Sequence, residues 1–402
     1  MIRMYRRLAL FGVVLAVLAP AARAAAPDVE AFVARHWRAP LAPQGPPPER
    51  FSATEASLAP DACGTCHPAQ LADWRTSLHA RAMGPGVTGQ LAEMLESAPA
   101  DALGCYTCHA PLAEQRPLLG RAAGHAKNPA FDPALASHGL VCAGCHVRAH
   151  EWFGPPRRDG SLTSTAPRDT LPHHGVTRTP AFLAAEFCRG CHQFEAGGLA
   201  VNGKLLENTY EEWKASRFAR DGVQCQDCHM PDRRHLWRGI HDPEMVRSGL
   251  TITVDGARAA TGRDVAAILR VASTRVGHRF PTYVVPRAVL RGEQLDGDGA
   301  VVAGTRRERV IGREVALDLS RELRDTRLAP GASMRLDYRA PRDGRARRLR
   351  LRVIVEPDAF YTRFFETLLE QGAGRGETQL REALAGARRT PYVLFERTLA
   401  LD

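Results

Sequence analysis

The sequence predicts an α+β chain: a mostly helical and irregular N-terminal domain organised on a repeated cysteine motif, then a β-sandwich-like domain that carries two helices. Three observations predict it. All ten cysteines fall between residues 63 and 228, in five C-x-x-C-H runs. After Gly249 the cysteines cease, and alternating or continuous apolar runs of strand length take over. In the tail, two stretches of helical spacing run up to glycines.

The chain opens on Arg3, Arg6 and Arg7, an apolar run from Leu8 to Leu18 and the small-residue site Ala22-Arg23-Ala24. That is the pattern of a secretory signal peptide over residues 1–24, cleaved before Ala25. The expected product is periplasmic and does not itself span a membrane after cleavage: the run is short, and no later one approaches the roughly 20 apolar residues a spanning helix needs. Losing the four leader arginines lowers the formal charge from +10 to +6. No patch of lysines and aromatics points to nucleic acid. Residues 25–60, with "APLAPQGPPPER", read as an extended proline-rich lead-in, and His36 within it as a surface residue.

Residues 61–247 hold the motifs: CGTCH (Cys63, Cys66, His67), CYTCH (Cys105, Cys108, His109), CAGCH (Cys142, Cys145, His146), CRGCH (Cys188, Cys191, His192) and CQDCH (Cys225, Cys228, His229). Two thiols in this spacing add to porphyrin vinyl groups, and the adjoining imidazole reaches the iron, which is the c-type haem attachment pattern. With 15 histidines in the chain, finding one after every pair by chance has odds on the order of one in ten million. Zinc needs cysteines in sets of four ligands and leaves one pair unmatched; a redox dithiol needs neither repetition nor the histidine. Five covalently bound haem c groups are therefore expected, with His67, His109, His146, His192 and His229 as proximal ligands. Successive motifs lie 42, 37, 46 and 37 residues apart, too little polypeptide to wrap each haem separately, so the haems pack against one another. Their propionates account for the basic surplus. "WRTSLHAR" (74–81) and "WKASRFAR" (213–220) echo each other and read as two short helices, of which only the first offers a histidine.

Residues 248–402 form the second domain. "LTITV", "AAILRVAS", "REVALDL", "SMRLDYRA" and "RRLRLRVIVEP" read as strands, with Leu349, Leu351, Val353 and Val355 alternating against arginines. A helix begins near Asp358 and ends at Gly372, a second runs from about Thr378 to Ala385, and "YVLFERTLAL" is a last strand.

Ten histidines remain for distal positions, twice the number five bis-histidine haems need. His235 and His241 follow the fifth motif in one loop. His173 and His174 precede the fourth, and His174 is preferred because it adjoins Gly175, where backbone can approach a porphyrin. His125, His138 and His150 rank lower. Met83 and Met230 are weak candidates, Met230 being read as packing on a ring edge.

"CGTCHPAQLADWRTSLHARAM", "EFCRGCHQF", "EEWKASRFARDGVQCQDCHMP" and "VGHRFPT" resemble the periplasmic multihaem cytochromes c related to the tetrahaem electron acceptor of hydroxylamine oxidoreductase, over most of residues 50–285. The resemblance implies that His79, on the W-x-x-S-x-H helix, is a distal ligand, and that His278 reaches back to a haem from a turn of the β-domain. Five motifs rather than four or eight mean that the haem-by-haem pairing does not transfer.

Two functions compete. One is electron transfer between periplasmic or membrane-associated redox proteins through closely packed, mostly bis-histidine haems. The other is reduction or oxidation of a small nitrogen or sulfur compound at one haem with an open site. No variant motif marks one haem as special, which favours transfer. A weaker third reading makes the β-domain a docking module.

Overall fold

Cysteine, cysteine and histidine at i, i+3 and i+4 share one face only if the backbone turns as a helix; four motifs lie within helices and the first starts at the end of one. The computed structural model describes residues 27–122, 124–255 and 264–401; the signal-peptide reading of residues 1–24 lies outside them. The first part contains α1 (Pro27–His36), α2 (Pro60–Gly64), α3 (Pro68–Thr76), α4 (Pro85–Ser97), α5 (Pro99–His109), α6 (Cys142–His146), α7 (Glu186–His192), α8 (Thr209–Lys214), α9 (Cys225–His229) and α10 (Pro243–Gly249). Proline stands in the first turn of α2, α3, α4, α5 and α10, where its missing N–H costs nothing and its fixed φ favours the helix. The motifs lie in or at the end of α2, α5, α6, α7 and α9; after α2 the turn continues through a bond from the His67 N–H to the Cys63 carbonyl, 2.9 Å.

The lead-in departs from expectation. Residues 27–36 are a helix with Asp28 and Glu30 in its first turn and Arg35 and His36 in its last, the arrangement the helix dipole favours. Val29, Val33 and His36 fall on one face; the two valines pack on Ala181 with Phe187 alongside, and Arg189 binds Glu30 at 2.8 Å. His36 is therefore not on the surface: it is 4% exposed, and its Nε2 is 2.8 Å from the Cys145 carbonyl oxygen. Prolines from residue 40 onward masked this three- and four-residue spacing just before them. Residues 37–52 form neither helix nor strand.

The 74–81 and 213–220 echo is structural. In each copy the tryptophan indole donates to a backbone carbonyl, Trp74 to Leu140 (2.8 Å) and Trp213 to Val223 (2.9 Å). The serine three residues on bonds its N–H to the tryptophan carbonyl in both copies; Ser77 closes its helix, whereas Ser216 caps the start of the next short one.

After α10 come β1 (Leu250–Asp255), β2 (Asp264–Ser273), β3 (Arg287–Leu295), β4 (Arg307–Val315), β5 (Glu322–Asp325), β6 (Ser333–Pro341), β7 (Arg348–Glu356), helices α11 (Ala359–Glu370) and α12 (Glu377–Ala387), and β8 (Tyr392–Ala400). They form an antiparallel sheet of order β5-β4-β3-β7-β8 and a second of order β6-β2-β1. Apolar side chains of both sheets meet in one core: Leu349, Leu351, Val353 and Val355 are fully buried against a cluster that includes Leu269, Val271, Leu336 and Tyr338. Burying a leucine or valine contributes about 1.5–3 kcal/mol. Strand β3 carried no readable pattern because Glu293 and Gln294 are buried in it. Glu293 accepts hydrogen bonds from Arg306 (3.1 Å), Arg350 (2.7 Å) and Arg352 (2.6 Å). Gly292 has to be glycine, since a Cβ there would collide with the Tyr338 ring. The expected strand over 313–319 starts earlier and ends at Val315, and α12 continues through Gly386 to Ala387. The two C-terminal helices pack back on the motif region, with Phe365 against Gly86 and Leu380 against Gly89 of α4.

Candidate functional site

The five motifs open onto one cavity of about 2950 Å³, lined by all five motif histidines and by nine of the ten cysteines, Cys66 being the exception. Ordinary small-molecule pockets reach about 1000 Å³, so this is space for several large groups. Thiols of different motifs adjoin, Cys63 with Cys142, Cys108 with Cys191, and Cys188 with Cys225. The first and third, second and fourth, and fourth and fifth attachment points are therefore neighbours. Among the described residues no three His, Cys, Asp or Glu side chains converge where a metal ion could sit.

The motif imidazoles are candidate metal donors. His109 Nδ1 lies 2.6 Å from the Ala82 carbonyl, His146 Nδ1 2.8 Å from Phe153, His229 Nδ1 2.7 Å from Arg238, and His192 Nδ1 2.8 Å from the Tyr283 hydroxyl. A donor Nδ1–H fixes the tautomer that leaves the Nε2 lone pair free for a metal. His235 and His278 are held the same way, on the carbonyls of Arg233 (3.0 Å) and Arg279 (2.9 Å). Burial favours the neutral, ligating form of six of the imidazoles: desolvation lowers His79 to about 3 and His146 and His192 to about 4, and lowers His229, His235 and His278 too.

Four motif histidines face a second imidazole. Ring centres are 6.2 Å apart for His67 and His173, and 6.3 Å for His146 and His235, His192 and His79, and His229 and His278. Two metal–nitrogen bonds of about 2.0 Å on opposite sides of one ion, with each nitrogen about 1.1 Å from its ring centre, set the centres about 6.2 Å apart. The residues present thus fit haem irons held from both sides.

Each facing histidine is positioned by the fold. The loop carrying His235 is clamped by buried Asp73, which binds the Arg234 guanidinium at 2.6 Å and the His235 N–H at 3.0 Å. The His79 carbonyl accepts the Leu140 N–H at 3.0 Å; Gly139, at φ +65, touches the same carbonyl so closely that a Cβ would come within 2.7 Å. His173 sits at φ +57, its ring 4.0 Å from that of Trp152. His278 lies on the turn between β2 and β3, whose Arg279 N–H donates to Glu212 at 3.1 Å.

Other sequence candidates fall elsewhere. His174 does not line the cavity; its ring lies 5.5 Å from Phe51 at an interplanar angle of 7°, whereas its neighbour His173 does line it. His241 lines the cavity, but its Nε2 is 3.0 Å from Asp358 and its buried Nδ1 has no partner. His150 has its Nε2 on the Gly45 carbonyl at 2.9 Å, and His125 and His138 are exposed. Met83 is buried among Leu91 and Tyr106, whereas Met230 lines the cavity.

His109 is the exception, since no described histidine ring stands at the same spacing from it. The cavity wall near this motif includes Tyr361 of α11, whose phenol burial pushes up, with smaller contributions from Asp358, Glu207 and Cys105. Arg157, Arg178 and Arg233 also line the cavity and form no ion pair with a carboxylate among the described residues. Burial lowers Arg178, and Arg157 and Arg233 lower it further. Among the described residues no helix is long and apolar enough to cross a membrane.

The cytochrome c554 and c-prime family matches residues 62–129, which span the first two motifs. A cytochrome c-552 of Aliarcobacter butzleri is 29% identical over 188 residues, covering 44% of this chain and 36% of the relative, so the match spans about a third of that protein. A solved structure of a penta-heme cytochrome c552 from Thermochromatium tepidum shares the fold, with TM-score 0.59 and 17% identity over 84% of this chain and 97% of that one.

Proposed function

We propose that the chain is a periplasmic pentahaem c-type cytochrome that passes electrons between redox proteins, periplasmic or membrane-associated. The observation that carries this reading is the set of four imidazole pairs at 6.2–6.3 Å around one cavity bordered by five C-x-x-C-H turns. The family match, the partial likeness to a cytochrome c-552 and the fold shared with a penta-heme cytochrome c552 support it. The motifs quoted above support kinship with the tetrahaem acceptor of hydroxylamine oxidoreductase.

Bound haem c would supply an iron that changes oxidation state by one electron and a conjugated ring. The chain's residues do the rest. The ten cysteines fasten the haems. His67, His109, His146, His192 and His229 are the proximal ligands, opposed by His173, His235, His79 and His278 at the first, third, fourth and fifth motifs. His241 is kept off ligation through Nε2 by Asp358. Paired imidazoles leave no position for substrate, so these four sites carry electrons only. Arg157, Arg178 and Arg233 balance propionates. Intact mass of the exported protein tests the reading. Polypeptide lacking residues 1–24 plus five haems is expected; a colourless product with the mass of bare polypeptide rejects it.

His109 favours a second role at the second motif. Without an opposing imidazole, this site accepts a small nitrogen or sulfur compound, with Tyr361 and Glu207 in the cavity wall nearby. Nitrite or hydroxylamine added to the protein is expected to change the spectrum of one haem only, and a spectrum unmoved by either compound removes this role.

A further inference from the structure

The four facing imidazoles are held in two different ways. His235 and His278 have Nδ1 on a backbone carbonyl, 3.0 and 2.9 Å away. His79 and His173 do not: in both, Nδ1 is buried and without a partner. An imidazole bound through Nε2 alone can still turn about that bond, and the usual restraint is a hydrogen bond at the other ring nitrogen. Two of the four lack it.

At each of these two, a tryptophan ring lies against the imidazole. Trp152 covers His173, with ring centres 4.0 Å apart and planes 20° from parallel. Trp237 meets His79 at 4.7 Å and 65°. At these spacings the rings touch, so turning the imidazole about its Nε2 axis drives one of its edges into the indole. Both tryptophans pack on one apolar cluster that includes Leu41, Trp74, Leu112, Val141 and Val147. Trp152 is held there by pairing, in a short antiparallel ladder just after α6, with Val147, which is 1% exposed. Trp237 sits at φ +42, a backbone region costly for a bulky residue and kept only where the surroundings enforce it.

Trp237 has a further contact. Its ring also meets that of His235, 5.1 Å away at 85°, so one indole touches the imidazoles that face the third and the fourth motifs. Among the described residues Trp152 meets no facing imidazole besides His173.

We infer that Trp152 and Trp237 are positioning residues for the distal imidazoles: they set the ring planes of His173 and His79 where no hydrogen bond does, and Trp237 ties the orientation at the fourth site to that at the third. The inference rests on the haem reading above. The angle between the two imidazole planes on one iron governs how its d orbitals split, and with them the low-spin spectrum of that haem. Movement of one indole therefore alters two sites together.

The test is low-temperature electron paramagnetic resonance of the oxidised, haem-loaded protein, in which each low-spin haem has its own largest g value, with haem content fixed separately by mass. His79→Ala, His235→Ala and His173→Ala each remove one low-spin signal and so assign it. Trp237→Leu keeps apolar bulk on the cluster and removes the ring. It is expected to shift two signals, those lost in His79→Ala and His235→Ala, the first by more because His235 keeps its carbonyl. Trp152→Leu, an independent test, is expected to shift only the signal lost in His173→Ala. Trp237→Phe and Trp152→Phe are expected to restore values close to wild type. Unchanged g values in both leucine variants overturn the inference, as does an equal shift of all four signals, the mark of a general loss of packing. A protein that lacks five haems, or a His79→Ala variant that keeps every low-spin signal, rejects the underlying reading instead.

Discussion

In the sandwich, Leu349, Leu351, Val353 and Val355 of β7 are 0% exposed against side chains of the opposite sheet, while the motif region encloses a cavity of about 2950 Å³. The second region buries its own residues; the first is shaped around something the polypeptide does not supply. Its apolar clusters are small and scattered around the cavity, as expected where every forty or so residues must also present two thiols and an imidazole. On the haem reading, one chain holds two kinds of interior, one stabilised by side-chain packing and one by attached cofactor.

The largest effect should come from withholding the cofactor. Full-length protein made without haem attachment is expected to lose protection across residues 61–247 and keep it across β2, β3 and β7, as read by hydrogen exchange. Equal protection of both regions would break the comparison.

Within the sandwich, Leu351→Ala is expected to cost about 2–5 kcal/mol in denaturant unfolding of that region, because the site is closed on all sides. Glu293→Gln should cost about 3 kcal/mol, since it leaves Arg306, Arg350 and Arg352 without their shared carboxylate. Burial raises the Glu293 carboxyl, but the hydrogen bonds and charges of Arg350, Arg352 and Arg306 together carry it below the usual carboxylate range. A group lowered by folding stabilises above its unfolded value and loses that contribution as pH falls through the folded one. Acid should therefore weaken the wild-type sandwich more than the Gln variant, and parallel pH profiles would contradict this.

The smallest effects sharpen the comparison in the motif region. His173→Ala is expected to turn one haem from low-spin to high-spin, whereas His174→Ala, one residue away on the Phe51 side, should leave the absorption spectrum unchanged. The reverse result would restore the sequence-based preference for His174.

What the sequence made legible follows from how local each signal is. The motifs were readable because the i, i+3, i+4 spacing is complete within five residues, and β7 because its alternation runs uninterrupted. His79 and His278 were suggested by resemblance and stand opposite His192 and His229. That His173 rather than His174 lines the cavity was not readable, because it depends on which ring meets Trp152, twenty-one residues earlier, and which meets Phe51. Burial of His36 was hidden by the prolines that follow it, and β3 by a buried Glu-Gln pair whose partners include Arg350 of β7 and the Pro341 carbonyl of β6. The pairing of one motif with a histidine a hundred residues away is a tertiary fact, as His192 with His79 illustrates.

The measurement that bears most directly on this account is quantitative electron paramagnetic resonance of the oxidised, haem-loaded protein. Four low-spin haems and one high-spin haem are expected, from four opposed imidazole pairs and the unopposed His109. Five low-spin haems, or more than one high-spin haem, would contradict it.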